Sequence, residues 1–258
     1  MDFSGKQFPK EVIIMAVRWY LAYPLSYRNV EELIQEWNIT LDHSSVQRWV
    51  DEFGGYLMSK VRKYMKRNFK RSWRLDETYI KVKGEWCYLY RIVDKDGDSI
   101  FFHFSKTRDH QAALACVRGA IRVAGFVPDK INSDGSTANQ LAVKIINEEL
   151  TMKFLQSNPE FTGPLKPSIY YTKIKYLNNV IEQDHRRVKI ITDPMKGFKN
   201  FNAANNTIAG IEAIAIVRKN QTTLAEFNGI KVSIADQINL LVAYSDWEGG
   251  IGATNTKK

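Results

Sequence analysis

Three strand-like segments joined by two tight turns are the feature that most constrains how this chain can fold. The segments are rich in aromatic and β-branched residues and read "WRLDETYIKV" (73–82), "WCYLYRIVD" (86–94) and "SIFFHFS" (99–105). "KGE" (83–85) separates the first two, and "KDGD" (95–98) contains the Asp-Gly pair that is typical of a hairpin. The sequence therefore predicts a meander of three strands in the middle of the chain.

Helices and short strands alternate after this meander. Helices are predicted over 108–125, over 136–150, and from residue 176 to the proline at 194. Short strands are predicted over 130–134 and 168–172, and a loop with three prolines over 151–168. The order β-β-β-α-β-α-β-α predicts an α/β fold with a mixed five-stranded sheet and helices packed on it.

The first 66 residues have the pattern of helices. Apolar residues recur every three or four positions from Val12 to Tyr23, and Ser26 is placed to cap a second helix. Ser44, with Gln47 three residues later, is a capping-box signature for a third helix. The pair Gly54-Gly55 predicts a kink or an interruption in that helix.

A short helix, a turn and a further helix are the arrangement of a helix-turn-helix motif. In such a motif the first residues of the second helix face base edges, and here these residues are Ser44, Ser45, Gln47 and Arg48. A three-helix bundle without DNA contacts has the same pattern, so these residues alone leave DNA binding open.

A basic stretch follows the helices. Residues 60–74, "KVRKYMKRNFKRSWR", contain eight lysines and arginines and no acid, with aromatic residues interleaved. The stretch favours a segment that follows DNA phosphates through Lys66, Arg67, Lys70 and Arg71. The alternative is a solvated linker without DNA contacts.

The composition points to a polyanionic partner. The net charge is +9 and the pI is near 9.4, which favours nucleic acid first and a membrane surface second. Cys87 and Cys116 lie in apolar runs and are expected to be reduced core thiols, as in the cytosol. The N-terminus lacks the pattern of a signal peptide, and the apolar run 12–25 is too short to span a bilayer. We therefore expect a cytoplasmic protein that has no membrane partner.

Three acids stand where a metal site could form. Asp76 lies within a strand, Asp134 just past a strand end, and Glu182 on the last helix of the α/β region. Glu77 points to the opposite face of the strand and so cannot share the site of Asp76. On the helix, residues at spacings of three, four and seven share one face: Glu182, His185, Arg186 and Lys189.

Such acids could hold two Mg²⁺ ions about 3.5–4 Å apart for phosphoryl transfer on a nucleic-acid backbone. Cations one and two turns along the helix, Arg186 and Lys189, would then hold DNA phosphates. The alternative is structural: the chain has 28 acids, and these three could be a turn aspartate, an edge-strand residue and a salt-bridged helix face.

Five segments occur in a family-specific order over residues 3–221: "FPKEVIIMAVRWYLAYPLSYRNVEELI", "DHSSVQRWV", "SWRLDETYIKVKGEWCYLYRIVDKDG", "INSDGSTA" and "IKYLNNVIEQDHRRVK". With these segments the sequence resembles the DDE transposases of insertion sequences, in particular the IS-six family. The resemblance implies a ribonuclease-H-like catalytic domain over 75–221, preceded by a helix-turn-helix region over 1–59 and the basic linker 60–74. It also implies that Asp76, Asp134 and Glu182 bind two Mg²⁺ ions, for which Mn²⁺ can substitute, and that Lys189 contacts DNA.

The activity that the resemblance implies is DNA transposition. Enzymes of this kind bind terminal inverted repeats, nick the 3′ ends of the element with water, and use the freed 3′-hydroxyl to attack target DNA. The family is associated with replicative, cointegrate-forming transposition. A homodimer or a higher multimer is expected around the paired ends.

The sequence departs from the family in two places. The gap of 47 residues between Asp134 and Glu182 is longer than is usual in the family, and the loop 151–168 is where the excess is expected. A helix is predicted over 201–219, but residues 222–258 match nothing in the family and are expected to be partly disordered, in the last ten residues above all, apart from a helix near 234–244. These departures motivate a rival hypothesis, a decayed or co-opted transposase that only binds the terminal repeats.

Overall fold

The computed structural model describes residue 3 and residues 5–243. It divides into two compact units, one with bounds Met1–Met65 and Asn206–Lys258, and the other Lys66–Asn205. The sequence-based division at residues 59, 74 and 221 differs, because residues 206–221 belong with the N-terminal helices. The predicted disorder of the last ten residues lies outside the described part of the chain.

Three helices open the first unit: α1 (Lys10–Ala22), α2 (Tyr27–Gln35) and α3 (His43–Lys63). Ser26 caps α2 as predicted, since its hydroxyl accepts the Asn29 amide at 3.0 Å. The predicted capping box at Ser44 is wrong. The carboxylate of Asp42 caps α3 by accepting the Ser44 amide at 2.8 Å, so Ser44 lies inside the helix.

The pair Gly54-Gly55 does not interrupt α3. A Cβ atom at Gly54 would overlap the backbone oxygen of Asn206, which belongs to the same unit. The prediction of an interruption is therefore wrong, because this glycine serves a close helix contact rather than a break.

The second unit is built on a five-stranded sheet. The meander is present as β1 (Ser72–Val82), β2 (Glu85–Asp94) and β3 (Ser99–Ser105). It continues as α4 (His110–Ala124), β4 (Lys130–Asn132), α5 (Thr137–Ser157), β5 (Tyr170–Thr172) and α6 (Asn179–Thr192). Gly125 ends α4 in the left-handed conformation, with φ of 78°.

The strand order is β3-β2-β1-β4-β5. The pairs β1–β2 and β2–β3 are antiparallel, while β1–β4 and β4–β5 are parallel. This mixed sheet, with its alternating helices, confirms the ribonuclease-H-like fold that the resemblance implies.

The helices cover the two faces of the sheet. On one face Glu77 of β1 bonds Arg108, just before α4, and Asn139 of α5. On the other face Arg74 of β1 donates to the Leu177 carbonyl, just before α6, at 2.9 Å. Glu77 therefore lies opposite Asp76, as predicted, and α6 covers the face that carries Asp76.

Helix α5 is longer than the sequence predicts. Residues 151–157 belong to the predicted loop, yet α5 continues to Ser157. The segment "TMKFLQS" contains good helix formers, and the first strong breaker is the Asn158-Pro159 pair. The loop before β5 is correspondingly shorter.

The chain continues into α7 (Phe201–Arg218), which confirms the predicted helix there. The described part of the tail then forms a small hairpin, β6 (Glu226–Phe227) and β7 (Ile230–Lys231), and α8 (Ile234–Ala243). Residues 222–243 are thus ordered structure, and the predicted helix near 234–244 is confirmed. Among the described residues, none of the helices has the length and apolar character needed to cross a membrane.

Candidate functional site

Asp76 lies in the middle of β1 on the face that α6 covers. It pairs in register with Arg91 of β2, and its side chain is only 15% exposed. Arg74, two residues earlier on the same face, is buried and anchors the strand to the segment before α6. The position of Asp76 is therefore set by a central strand that is held from both sides.

Asp134 is brought beside Asp76 by the strand register. In the parallel pair β1–β4, Arg74 lies opposite Asn132. Asp76 and Asp134 each follow two residues later, so they extend the same register where β4 ends. Asp134 is exposed, and its carboxylate accepts the Ser136 amide at 3.0 Å.

Asn132 ties the end of β4 to the segment that leads into α6. Its amide nitrogen donates to the Ile174 carbonyl at 2.9 Å and to the Asn178 side chain at 2.7 Å. Its oxygen accepts the Thr172 hydroxyl and the Ile174 amide. This fully buried side chain fixes the chain on both sides of the acids Asp134 and Glu182.

Glu182 lies in the first turn of α6 and is exposed. A carboxylate is favourable at this end of a helix because the N-terminus carries partial positive charge. Buried residues Ile181, Val188 and Ile191 hold α6 on the sheet.

The negative charges of the other two acids act on Asp76. The pKa of Asp76 is raised to about 7 by burial first, and then by the negative charges of Glu77, Asp134 and Glu182. A carboxyl with this pKa is only part-ionised at neutral pH and gains a strong preference for a nearby cation. The members of the predicted triad come from β1, the end of β4 and α6, and lie near enough for their charges to influence Asp76.

The acids fit a hard divalent cation by their chemistry, since all three offer carboxylate oxygens. Their oxygens do not all lie within 4.8 Å of one another, whereas within the described chain such a close group is formed by Glu31, Asp42 and His43.

His185 is the residue of this site whose role the sequence did not reveal. It is buried, and its Nδ1 lies 3.6 Å from Oδ2 of Asp76. Burial first, and then the charges of Arg91 and Lys189, lower the pKa of His185 to about 3, so the ring is neutral. The sequence signal that could have revealed this role is the position of His185 three residues after Glu182, on the same face of the helix.

A buried ion pair fixes the rotation of α6. Arg91 of β2 contacts the carboxylate of Asp184 at 3.2 Å, and the Ser99 hydroxyl donates to the same oxygen at 3.4 Å. Both members of the pair are almost fully buried. Asp184 is thus structural, and it aims the neighbouring His185 at Asp76.

Glu77 forms a separate network on the opposite face. Arg108 contacts its carboxylate at 2.6 Å, and Asn139 donates to it at 3.1 Å. The negative charge of Asp134 also acts on Arg108 and, after the stronger effect of Glu77 itself, raises its pKa. Sequence reasoning placed Glu77 correctly but missed its partners, because they lie 31 and 62 residues away.

The two predicted cations of α6, Arg186 and Lys189, are exposed. The effect of Lys189 on the pKa of His185 shows that its charge reaches the Asp76 site. They are available to a polyanion that approaches along this helix.

The predicted base-reading residues lie at the start of α3. Ser44, Gln47 and Arg48 are exposed, but Ser45 is buried. The Ser45 hydroxyl accepts a hydrogen bond from the Arg48 guanidinium at 2.9 Å. Three of the four side chains are therefore open to a ligand, and Ser45 orients one of them.

The basic stretch divides into three parts. The first residues of the stretch form the end of α3, and its last residues form the start of β1. Phe69 and Trp73 are buried, so these two interleaved aromatic residues belong to the core. Lys66, Arg67 and Lys70 are half or fully exposed. Arg71 is engaged by the Asp129 carboxylate at 2.7 Å and by the Val127 carbonyl.

Comparisons with known sequences agree on one family. A family model described as a DDE domain matches residues 70–221. A transposase for the insertion sequence-like element IS431mec of Staphylococcus aureus is 38% identical over 224 residues, which is 86% of this chain and 91% of that protein. The transposase of element IS257 in transposon Tn4003, from the same organism, has the same identity and coverage.

Solved structures give more distant similarities. The HTLV-2 integrase catalytic core domain in complex with magnesium is 18% identical, with a TM-score of 0.37, and the match covers 66% of this chain and 97% of that one. The simian T-cell lymphotropic virus intasome in complex with the PP2A regulatory subunit B56 gamma is 16% identical, with a TM-score of 0.38, and the match covers 73% of this chain and 60% of that one.

Proposed function

Because this chain belongs to the DDE transposases of the IS-six insertion-sequence family, we propose that it cuts DNA at the ends of an insertion sequence and joins the freed 3′ ends to target DNA. The observation that supports the proposal is that the negative charges of Asp134 and Glu182 act on the buried carboxyl of Asp76, which the strand register places beside Asp134. The reaction is a metal-dependent phosphoryl transfer, with Mg²⁺ as the cofactor and Mn²⁺ as a substitute.

Asp76, Asp134 and Glu182 would hold two Mg²⁺ ions through their carboxylate oxygens. Bound metal stabilises the charge that develops on the attacking and leaving oxygens. The raised pKa of Asp76 supports this assignment, because a divalent cation would restore the ionised carboxylate that burial disfavours.

The chemistry consists of two displacements at phosphorus. In the first, the oxygen of water bonds to the phosphorus at the end of the element while the bond to the 3′-oxygen breaks, which leaves a 3′-hydroxyl and a 5′-phosphate. In the second, that 3′-hydroxyl attacks a target phosphodiester, loses its proton to solvent, and releases a target 3′-hydroxyl. Neither step needs a covalent enzyme intermediate.

The remaining residues would position the DNA. We assign base reading at the terminal inverted repeats to Gln47 and Arg48, with help from Ser44, while Ser45 orients Arg48. Phosphate contacts are assigned to Lys66, Arg67 and Lys70 near the sheet, and to Arg186 and Lys189 on α6. Arg71 is a weaker candidate because Asp129 already engages it.

The wider setting follows from the family. The protein would act as a homodimer or higher multimer that pairs the two element ends, in the bacterial cytosol, and by the replicative route that forms cointegrates. The longer gap before Glu182 is compatible with activity if the added residues lie at 151–168, since this segment forms the end of α5 and the loop after it and precedes α6.

Strand transfer into a plasmid tests the proposal directly. The substrate is a labelled duplex with the inverted repeat that flanks the reading frame, incubated with Mg²⁺. Asp76→Asn, Asp134→Asn and Glu182→Gln should each abolish joined product, while the exposed α5 acid variant Glu148→Gln should keep it. Equal product from wild type and all three site variants would refute the proposed chemistry.

The rival is a transposase that has lost catalysis and only occupies terminal repeats. The unusual gap between Asp134 and Glu182 motivates it. Calorimetric titration with Mg²⁺ and Mn²⁺ separates the two. Repeat binding without metal binding at the acids would favour the rival, and metal binding that is abolished in Asp76→Asn would exclude it.

A further inference from the structure

A cleft of about 370 Å³ lies in the sheet unit, next to the end of β1. It is bounded by the last part of β1, the first part of β2 and the segment that follows α6, with Tyr79, Lys81, Trp86, Lys196, Gly197 and Phe198 among its lining residues. None of the roles assigned above uses this cleft.

Two large aromatic rings are exposed there. Tyr79 is 41% exposed and Trp86 is 55% exposed, and their ring centroids lie 6.0 Å apart, edge to face. Tyr88 also contacts Tyr79, with a centroid distance of 5.3 Å. Neighbouring exposed aromatics leave apolar surface in water, and this cost indicates that the surface is covered by a ligand.

The wall opposite the aromatics is fixed by main-chain bonds. The Phe198 amide donates to the Lys81 carbonyl at 2.8 Å, and the Lys83 amide donates to the Phe198 carbonyl at 2.8 Å. Gly197 has φ of 104°, and a Cβ atom there would lie 3.1 Å from the Lys81 carbonyl oxygen. The cleft is therefore a preformed feature of the backbone.

Cations surround the rings. Lys81 places its Nζ 5.8 Å from the Trp86 ring centroid, and the Arg108 guanidinium lies 5.6 Å from that of Tyr79. Lys196 is exposed on the far wall, and Asp193 is the acid in the lining. Exposed aromatic faces combined with lysines are the chemistry that binds unpaired nucleotides, by stacking on the base and attraction of the phosphate.

We propose that this cleft binds an unstacked base of single-stranded DNA. The inference deepens the proposed function and rests on it, since the strand would be part of the DNA substrate. Tyr79 follows Asp76 by three residues on β1, so its side chain lies on the face that carries Glu77, opposite Asp76, and the cleft is separate from the acid site.

The test compares single-stranded and double-stranded probes. Fluorescence anisotropy is measured with a labelled 12-nucleotide oligothymidine and with a 12-base-pair duplex, both in EDTA. Trp86→Ala and Tyr79→Ala should weaken oligothymidine binding roughly 5- to 100-fold, which is the range for the removal of one stacked base. Trp86→Phe should retain most of the affinity, because a phenyl ring still stacks.

The control is Tyr170→Ala, which removes a ring that is 58% exposed on β5 of the same unit. Thermal unfolding of each variant verifies that the fold is retained. An equal loss of affinity for duplex and single strand, or no loss for Trp86→Ala, would overturn the proposal. Because EDTA prevents metal-dependent chemistry, failure of this binding test is distinct from failure of strand transfer.

Discussion

At the scale of single residues, Asp76 shows how a strand position becomes reactive. Its carboxyl is mostly buried. The negative charges of the adjacent Glu77 and of Asp134 and Glu182 act on it. Burial and like charge both oppose ionisation, so a proton and a metal cation compete for the same oxygens. Asp76, which we propose as a metal ligand, is thus an acid whose ionised form is disfavoured without a nearby cation.

The pH dependence of stability follows from this competition. The ordinary pKa of 3.8 for Asp76 is raised to about 7 in the folded state, so between these values the folded protein holds a proton that the unfolded chain has released. The stability that this proton contributes is full below pH 3.8 and is lost as the pH rises through 7. As the pH rises from 3.8 to about 7, the free energy of unfolding of wild type should therefore fall by up to a few kcal/mol relative to that of Asp76→Asn.

Urea unfolding in EDTA at about pH 4.5, 6 and 7.5 measures this difference. His185 works in the opposite sense, because its lowered pKa makes the folded state lose stability as the pH falls from 6.5 towards 3. Because His185 contacts Asp76, its contribution is removed by comparing wild type and Asp76→Asn in a His185→Gln background. A constant difference across the range would contradict the raised pKa of Asp76.

His185 is expected to position Asp76 for metal. Its neutral ring packs 3.6 Å from the Asp76 carboxylate and limits how that group can turn. His185→Gln should raise the Mg²⁺ concentration for half-maximal strand transfer about tenfold or more, as for other residues that support metal ligands. His103→Gln on β3 is the matched control, and an unchanged Mg²⁺ dependence in His185→Gln would refute the role.

At the scale of elements, local signals predicted the sheet well. Aromatic and β-branched runs, an Asp-Gly turn and a terminal glycine indicated β1, β2, β3 and α4 almost residue by residue. The errors arose where local signals compete. At α3, Asp42 outcompeted Ser44 as cap, and at α5 good helix formers extended the helix past the predicted end.

The candidate site was predictable in part for a related reason. An acid within a strand and an acid after a strand end are visible in the sequence, and so is a helix face with Glu182 and His185. The partners of Glu77 and the cleft beside Trp86 were not, because they depend on contacts between segments far apart in the chain.

Helix α3 offers a test of packing with its own control. Gly54→Ala would place a methyl group against the Asn206 carbonyl, and it should lower the free energy of unfolding by about 1–3 kcal/mol. Gly55→Ala meets the Asn206 side-chain oxygen at 3.2 Å rather than backbone, so its effect should be smaller, within about 1 kcal/mol of wild type. Chemical unfolding of both variants checks this, and equal effects would argue against the close contact.

At the scale of the whole molecule, the charge of +9 is the property that a DNA substrate would meet first. Lys66, Arg67 and Lys70 contribute to it at the surface, whereas Arg71 is partly neutralised by Asp129. Phosphate contacts release counterions, so each one steepens the dependence of binding on salt.

Replacing Lys66, Arg67 and Lys70 together by glutamine should weaken binding to all DNA sequences. The slope of log K against log salt should become shallower by about 0.9 for each phosphate interaction that the substitutions remove. Arg71→Gln should have a smaller effect because its guanidinium is already engaged. Titrations between about 50 and 200 mM salt measure the slope, and an unchanged slope in the triple variant would exclude these residues as phosphate ligands.

Most of α7, from Asn206 onward, belongs to the helical unit, and this has a consequence for the order in which the chain is synthesised. The helical unit takes its first part from the start of the chain and its last part from Asn206 onward, with the whole sheet unit encoded between them. During translation, α3 must wait for Asn206 before the packing at Gly54 can form. Synthesis of the unit that would read element ends is thus completed only after the acids of the catalytic sheet have left the ribosome, so a chain cut short in translation would lack a complete DNA-reading unit.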